Sequence, residues 1–195
     1  MTVHRSSRES GFSLIDIMVA MLVMGIVMAG AMPLLSNVSS SMRLGQGARD
    51  VERELQGARL KAVTANRPIR VRFNCPTAGS YRRVELVGTP SVPDAADSNA
   101  NRCQTSQYPY PPTDRNPLTV PNHDGPTRTL PEGVSFGSVS TLEFWPDGSV
   151  HKQSSAENPW LTVPVAGAAL TLTKGTEVKT ITVNGLGKIQ LQQTQ

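Results

Sequence analysis

Gly11-Phe12-Ser13-Leu14-Ile15-Asp16-Ile17-Met18-Val19-Ala20 opens the stretch that decides the fold. From Ile17 to Met32 sixteen successive residues are apolar, and the 24 residues from Phe12 to Leu35 carry one charge, Asp16. At about 1.5 Å per residue such a helix spans roughly 36 Å, enough to cross a ~30 Å hydrocarbon core. Arg5 and Arg8 precede it, which predicts a cytoplasmic N-terminus. A cleaved secretory signal would have a shorter apolar core, about 7–15 residues, and a small-x-small site after it. Here a helix-compatible stretch, Met42 to Ala65, follows instead, so the segment reads as retained.

Asp16 is the oddity of this segment. A carboxylate at the centre of a membrane helix costs ~2.5–3.5 kcal/mol, and less near the headgroups. Two readings stand: Asp16 tolerates an interfacial place, or it is kept for a positive partner. Met18, Met21, Met24, Met28 and Met32 recur at intervals of three and four, one helical face. They read as a deformable packing face for lipid or neighbouring helices rather than as a metal stripe.

Gly11 to Asp16 resembles the type IV prepilin signature of Gly, Phe, a small polar residue, Leu, an aliphatic residue and an acid. The resemblance implies that a prepilin peptidase cuts between Gly11 and Phe12 and that Phe12 is N-methylated. It implies that Asp16, where the family usually has Glu, pairs with the terminal amine of a neighbouring subunit. It also implies that Pro33 kinks the helix, and that the chain sits in the bacterial inner membrane with a periplasmic head before entering a filament.

The remainder of the chain reads as one domain. With 195 residues, one domain and an appendage is the expectation. Sixteen glycines and fifteen prolines favour turns and short strands over a helical bundle. Leu44, Ala48, Val51, Leu55, Ala58 and Ala62 give Met42 to Ala65 an apolar helical face, which Asn66-Arg67-Pro68 ends. Strands are predicted at 69–74, 82–87, 141–145, 150–153, 161–165, 169–173, 178–183 and 188–192. Pro146-Asp147-Gly148-Ser149 forms a hairpin turn between two of them. Gly88 to Pro131, rich in Pro, Asn, Ser and Asp, lacks sustained periodicity and reads as a long solvated loop, partly polyproline-like. Tyr108 and Tyr110 within it are candidates for an exposed contact surface.

Three stretches resemble the GspH/FimT group of minor pilins and pseudopilins: Leu55 to Val71, Phe144 to Ser149, and Ile181 to Ile189. The implied fold is α+β, a long N-terminal helix packed on an antiparallel β-sheet head. The implied organisation is a leader at 1–11, a membrane and assembly half-helix at 12–35, an amphipathic half-helix at 36–66 and a β-rich head at 67–195. The implied function is a structural subunit that assembles or primes a type IV pilus. The alternatives are a pseudopilin of a type II secretion system and a DNA-binding minor pilin for natural transformation. Partners would be other pilins, the peptidase and membrane lipid, with no cofactor.

Two cysteines in an extracytoplasmic domain are expected to pair, Cys75 with Cys103, and with no C-x-x-C and no nearby His a redox or metal role is not expected. From Arg59 to Arg83 there are seven basic residues and no acid; from Val84 onward seven basic residues meet ten acids. That run is either a solvated face or an anion patch. Some FimT-like relatives are associated with DNA capture through basic residues of a C-terminal Gly-Arg-x-Arg motif. Here the stretch is Gly187-Lys188-Ile189-Gln190, which keeps one charge and loses arginine's bidentate fork. Lys188, Lys174 and Lys179, with Arg70 and Arg72 alternating on the first strand, are the candidate anion contacts. No Gly-rich phosphate loop occurs, and neither His123 nor His151 has a Ser or Cys nucleophile at a strained elbow in the local sequence, so an enzyme is not expected.

Overall fold

The computed structural model describes residues 13–89, 92, 94, 97, 100–104, 106–108, 110, 124–153 and 160–192; within the helix, side chains 30–37 are left out. The chain divides into two units, residues 1–40 and 41–195. One helix, α1 (Leu14–Ala65), contributes to both.

In the first unit α1 is capped by its own sequence. The Ser13 carbonyl accepts from Ile17 N–H at 3.4 Å, and the Asp16 carboxylate reaches back to accept from Ser13 N–H at 3.2 Å. This is the acidic half of a capping box, and a negative charge there also suits the helix dipole. Side chains from Leu14 to Ala29 are exposed all round the helix.

In the second unit α1 is amphipathic as its spacing predicts. Leu44, Ala48, Val51, Leu55, Ala58 and Ala62 are completely buried. The helix stops at Asn66, whose φ of 52° is left-handed, and Arg67 N–H bonds back to the Ala62 carbonyl at 3.2 Å. Pro68 follows, where helix is disfavoured.

The buried face of α1 packs on two antiparallel sheets. The strands are β1 (Ile69–Phe73), β2 (Ser80–Glu85), β3 (Arg128–Thr129), β4 (Ser135–Phe136), β5 (Leu142–Phe144), β6 (Val150–Gln153), β7 (Trp160–Thr162), β8 (Ala168–Lys174), β9 (Glu177–Val183) and β10 (Ile189–Gln192). One sheet runs β3-β2-β1-β5-β6-β7 and the other β10-β9-β8-β4. Ile69, Val71, Leu142, Phe144 and Val150 from the first sheet meet Leu170, Leu172, Ile181 and Val183 from the second and the helix in one core. Strand alternation sends Ile69 and Val71 inward and Arg70 and Arg72 to the opposite face. The expected α+β class, helix on antiparallel sheets, is the observed one.

The Asp-Gly hairpin forms as expected. Phe144 pairs with Val150, Asp147 accepts from Ser149 N–H at 2.9 Å, and Gly148 takes φ 85°. Two strands escaped the sequence reading: β3 and β4 have two residues each, too short to show alternation. The 88–131 stretch is more ordered than a solvated loop. It contains a 3₁₀ turn at Ala100–Cys103 and β3, and Asp97, Arg102, Cys103 and Asp124 are buried. Residues 111–123, with Pro111, Pro112 and His123, lie outside the described residues.

Candidate functional site

Two places hold the candidate residues, and each belongs to one unit. At the N-terminus, Gly11 and Phe12 lie outside the described residues. Asp16 stands in the first turn of α1, bonded to Ser13 N–H. Met18, Met21, Met24 and Met28 are all more than half exposed, as are Leu14, Ile15, Leu22, Ile26 and Val27 around them. Such a surface is unstable in water and needs lipid or protein cover. Pro33 lies inside the helical span, and its side chain is outside the description. Among the described residues, no helix is long and apolar enough to cross a membrane. The described side chains of the apolar run stop at Ala29, while the sequence continues it to Leu35.

The second place is the head, and it corrects the anion-contact reading for Arg70. Its guanidinium is buried, with Nη2 2.6 Å and Nε 2.9 Å from Glu143 Oε1. Nη1 donates to the Asp97 carbonyl at 2.5 Å, and the guanidinium lies 4.4 Å from the centre of the Trp160 ring. A buried, fully engaged arginine cannot meet a phosphate at the surface. Arg72 is half-buried on the same face, and burial first, then the charges of Arg70 and Arg102, lower its pKa.

Much of the run of basic residues is engaged by groups from elsewhere in the chain. Arg82 is fully buried and donates to the carbonyls of Gly125 at 2.7 Å, Arg102 at 2.8 Å and Tyr108 at 2.7 Å. Arg102 is also fully buried. It donates to Asp97 at 3.3 Å, to Asp124 at 3.0 Å and to the Glu85 carbonyl, and its guanidinium lies 5.1 Å from the centre of the Tyr108 ring. Asp97 accepts from Val87 and Gly88 N–H, and Asp124 from Glu85 N–H. On the helix side Glu54 takes Arg128 at 2.7 Å and Arg83 at 3.5 Å. Tyr108 therefore belongs to an internal clasp; Tyr110 remains about half exposed. The sequence signal for this network was the acid excess after Val84, but not which acid meets which arginine.

The three lysines have separate settings on the second sheet. Lys174 donates to the Glu132 carbonyl at 2.9 Å, and Lys179 is half-buried on β9. Lys188 is exposed and lines a groove of about 430 Å³ with Gln56, Arg59, Leu60, Val63, Gly187 and Ile189. The turn below Lys188 is built by Asn184, whose side chain accepts from Leu186 and Lys188 N–H. Gly187 has φ 75°, and a Cβ there would stand 2.5 Å from Arg59 Nε, so only glycine lets the helix arginine lie against the turn. Arg59 donates to the Leu186 carbonyl at 3.2 Å. Arg70 and Arg72 stand on the other sheet, so the five candidate cations do not share a strand ladder.

Cys75 and Cys103 form a disulfide with their Cα atoms 5.4 Å apart, tying the end of β1 to the 3₁₀ turn. His151 stacks on Trp145 at 4.0 Å between ring centres; burial lowers its pKa, against the opposing pull of Glu143 and Asp147. Among the described residues, no group of three or more His, Cys, Asp or Glu is placed to hold a metal.

Residues 6–32 match the family model of the prokaryotic N-terminal methylation motif. The chain carries a methylation motif. The motif spans the Gly11–Asp16 signature and most of the apolar stretch of α1. No curated protein matches the chain. Among solved structures, two crystal forms of the type IV minor pilin FimU of Pseudomonas aeruginosa are similar. They are 11% and 12% identical, with TM-scores of 0.45 and 0.42, covering 78% and 77% of this chain and 90% and 93% of theirs. The minor pseudopilin EpsH from the type 2 secretion system of Vibrio cholerae is 16% identical with a TM-score of 0.41, over 77% of this chain and 96% of its own.

Proposed function

We propose that this chain is a minor pilin, a non-enzymatic subunit that helps to assemble or prime a type IV pilus. The observation that carries the reading is the methylation motif at 6–32, set directly on a helix whose side chains are exposed all round to Ala29. The apolar stretch holds the subunit in the inner membrane with its head in the periplasm until neighbouring pilins cover the same surface. Prepilin peptidase cuts between Gly11 and Phe12, where a side chain at Gly11 would obstruct it, and methylates Phe12. A pseudopilin of a type II secretion system would use the same parts, and the identity of the pilins that co-purify with the chain separates the two machines.

Mass spectrometry of the chain from its native membrane tests the proposal. The expected N-terminus is methylated Phe12. An N-terminus at Met1, or a cut after Met32, overturns it.

DNA capture is a secondary reading, favoured by the exposed Lys188 beside Arg59 in the groove. With Arg70 buried and Gln190 neutral, only a weak, sequence-indifferent phosphate contact is available there.

A further inference from the structure

The second sheet ends on an open edge. β10 is its last strand, and among the described strands it pairs with β9 alone. Asn184 N–H donates to the Lys188 carbonyl, and the same register continues through Thr182 with Gln190 and Thr180 with Gln192. An antiparallel ladder exchanges bonds at every second pair. The backbone groups of Gln190 and Gln192 are therefore turned toward β9, and the N–H and C=O of Ile189 and Leu191 point outward along the edge. The Ile189 and Leu191 side chains pack on the core, while Gln190 and Gln192 stand exposed on the opposite face. β10 reads Ile-Gln-Leu-Gln, with neither the charge nor the proline that commonly guards an edge strand.

Beside this edge runs the outer side of α1. Leu60 and Val63, three residues apart and so on one side of the helix, are 66% and 50% exposed. They form the helical wall of the groove of about 430 Å³ whose other wall is Gly187, Lys188 and Ile189. An apolar helical wall facing a strand with spare backbone groups suits an extended segment. The segment's backbone continues the ladder, and every second side chain turns toward the helix. The charge is one-sided. Arg59 and Lys188 both stand at the Gly187 end of the groove, and no acid is among the lining residues. Arg59 gives Nη2 to the Leu186 carbonyl, which leaves its charge without a carboxylate there. The pairs of this sheet are all antiparallel. A segment added in that sense has its C-terminal end at the start of β10, against the two cations.

We propose that the β10 edge and the adjoining side of α1 dock an extended segment of a partner protein by strand addition, a segment that alternates apolar and polar residues and is acidic at its C-terminal end. Backbone bonds to Ile189 and Leu191 hold it, Leu60 and Val63 cover its inward side chains, and Arg59 and Lys188 set its direction. The site lies wholly in the head, so it stands apart from the processing of the N-terminus.

The test uses the full chain in detergent and a fluorescein-labelled peptide, Ser-Thr-Val-Thr-Val-Thr-Glu-Glu, read by anisotropy. The same peptide ending in Lys-Lys should bind at least about tenfold more weakly. Two further peptides are N-methylated on alternate backbone amides, one on each set. One should lose binding and the other should stay within about twofold, because a strand offers only one set to its neighbour. Leu60→Ser, and Arg59→Gln with Lys188→Gln, should each weaken binding at least about fivefold. These side chains are exposed, so an unchanged melting temperature separates lost docking from lost folding. No binding of the acidic peptide, or equal binding of the acidic and basic ones, overturns the proposal. Equal binding of the two methylated peptides overturns it too, since the segment would then not be a strand. Duplex DNA bound by a chain that binds no peptide gives the two cations to phosphate and overturns it. So does a chain that self-associates and becomes monomeric with Arg59→Gln and Lys188→Gln, because the edge then holds a second copy.

Discussion

Arg102 and Asp124 meet at 3.0 Å with neither side chain exposed to solvent. Arg102 stands beside the disulfide and donates to the Glu85 carbonyl, and Asp124 accepts from Glu85 N–H, so the pair grips β2 on both sides of the Glu85 backbone. Buried ion pairs contribute little net stability when intact, but removing one partner strands the other. Arg102→Met should therefore destabilise the head by about 3–5 kcal/mol, because it leaves Asp124 without its nearest cation. Arg102→Met combined with Asp124→Leu should cost clearly less than the two single changes added together. Urea unfolding followed by tryptophan fluorescence measures both. A single variant within about 1 kcal/mol of wild type would mean that the pair holds nothing in place.

The dependence of stability on pH should have two separable limbs. Burial, assisted by the charge of Asp50, pushes Tyr81 up to about 12. Its folded value exceeds the unfolded one, so its contribution is whole below about pH 10 and is lost as pH rises toward about 12. His151 is shifted the other way, so its contribution is present above about pH 6.5 and is lost as pH falls below that. Tyr81→Phe should flatten the alkaline limb and His151→Gln the acid limb. Melting temperatures across a pH series decide this; identical slopes in wild type and variants would contradict it.

What the sequence made legible divides by mechanism. The six residues Leu44 to Ala62 at helical spacing, and the alternation of Ile69, Val71 and Phe73, reflect burial against a core, which periodicity reports directly. The Asp147-Gly148 turn was legible because a left-handed residue is chemically marked. Arg70 was misread for a related reason. Alternation correctly placed it on the face away from the core, but a second layer of chain covers that face, and a cover held by side chain to carbonyl bonds has no period. Asp97 and Asp124 look like loop residues in the sequence because nothing local shows that their carboxylates are spent on Arg102 and on backbone N–H groups.

Lys188 should carry the head's exposed phosphate contact, and this has a thermodynamic signature. Each phosphate contact releases its own counterion, so Lys188→Ala should lower the slope of log affinity against log salt by about one unit with duplex DNA. Lys188→Arg with Gln190→Arg restores two forks and should tighten binding. Arg70→Gln should lower stability without changing the slope, because Arg70 is spent on Glu143. Electrophoretic shifts over a salt series measure all three; no shift at low salt by either wild type or the double-arginine variant removes the DNA reading.

Asp16 is the residue whose role the pilin reading most needs to separate into parts. Its carboxylate accepts from Ser13 N–H, a bond that an amide oxygen could also accept. Pairing with a neighbour's terminal amine, in contrast, requires the negative charge. Asp16→Asn therefore keeps the cap and loses the pair, whereas Asp16→Ala loses both. Membrane insertion should be unchanged or improved in each, since a charge within an apolar helix opposes insertion. Incorporation into filaments should fall equally in Asn and Ala and be restored by Glu, which has the charge and a longer reach. Immunoblots of sheared filaments against the membrane pool read this out. Loss with Ala and not with Asn would assign Asp16 to capping its own helix, and full incorporation of both would leave it as a tolerated interfacial charge.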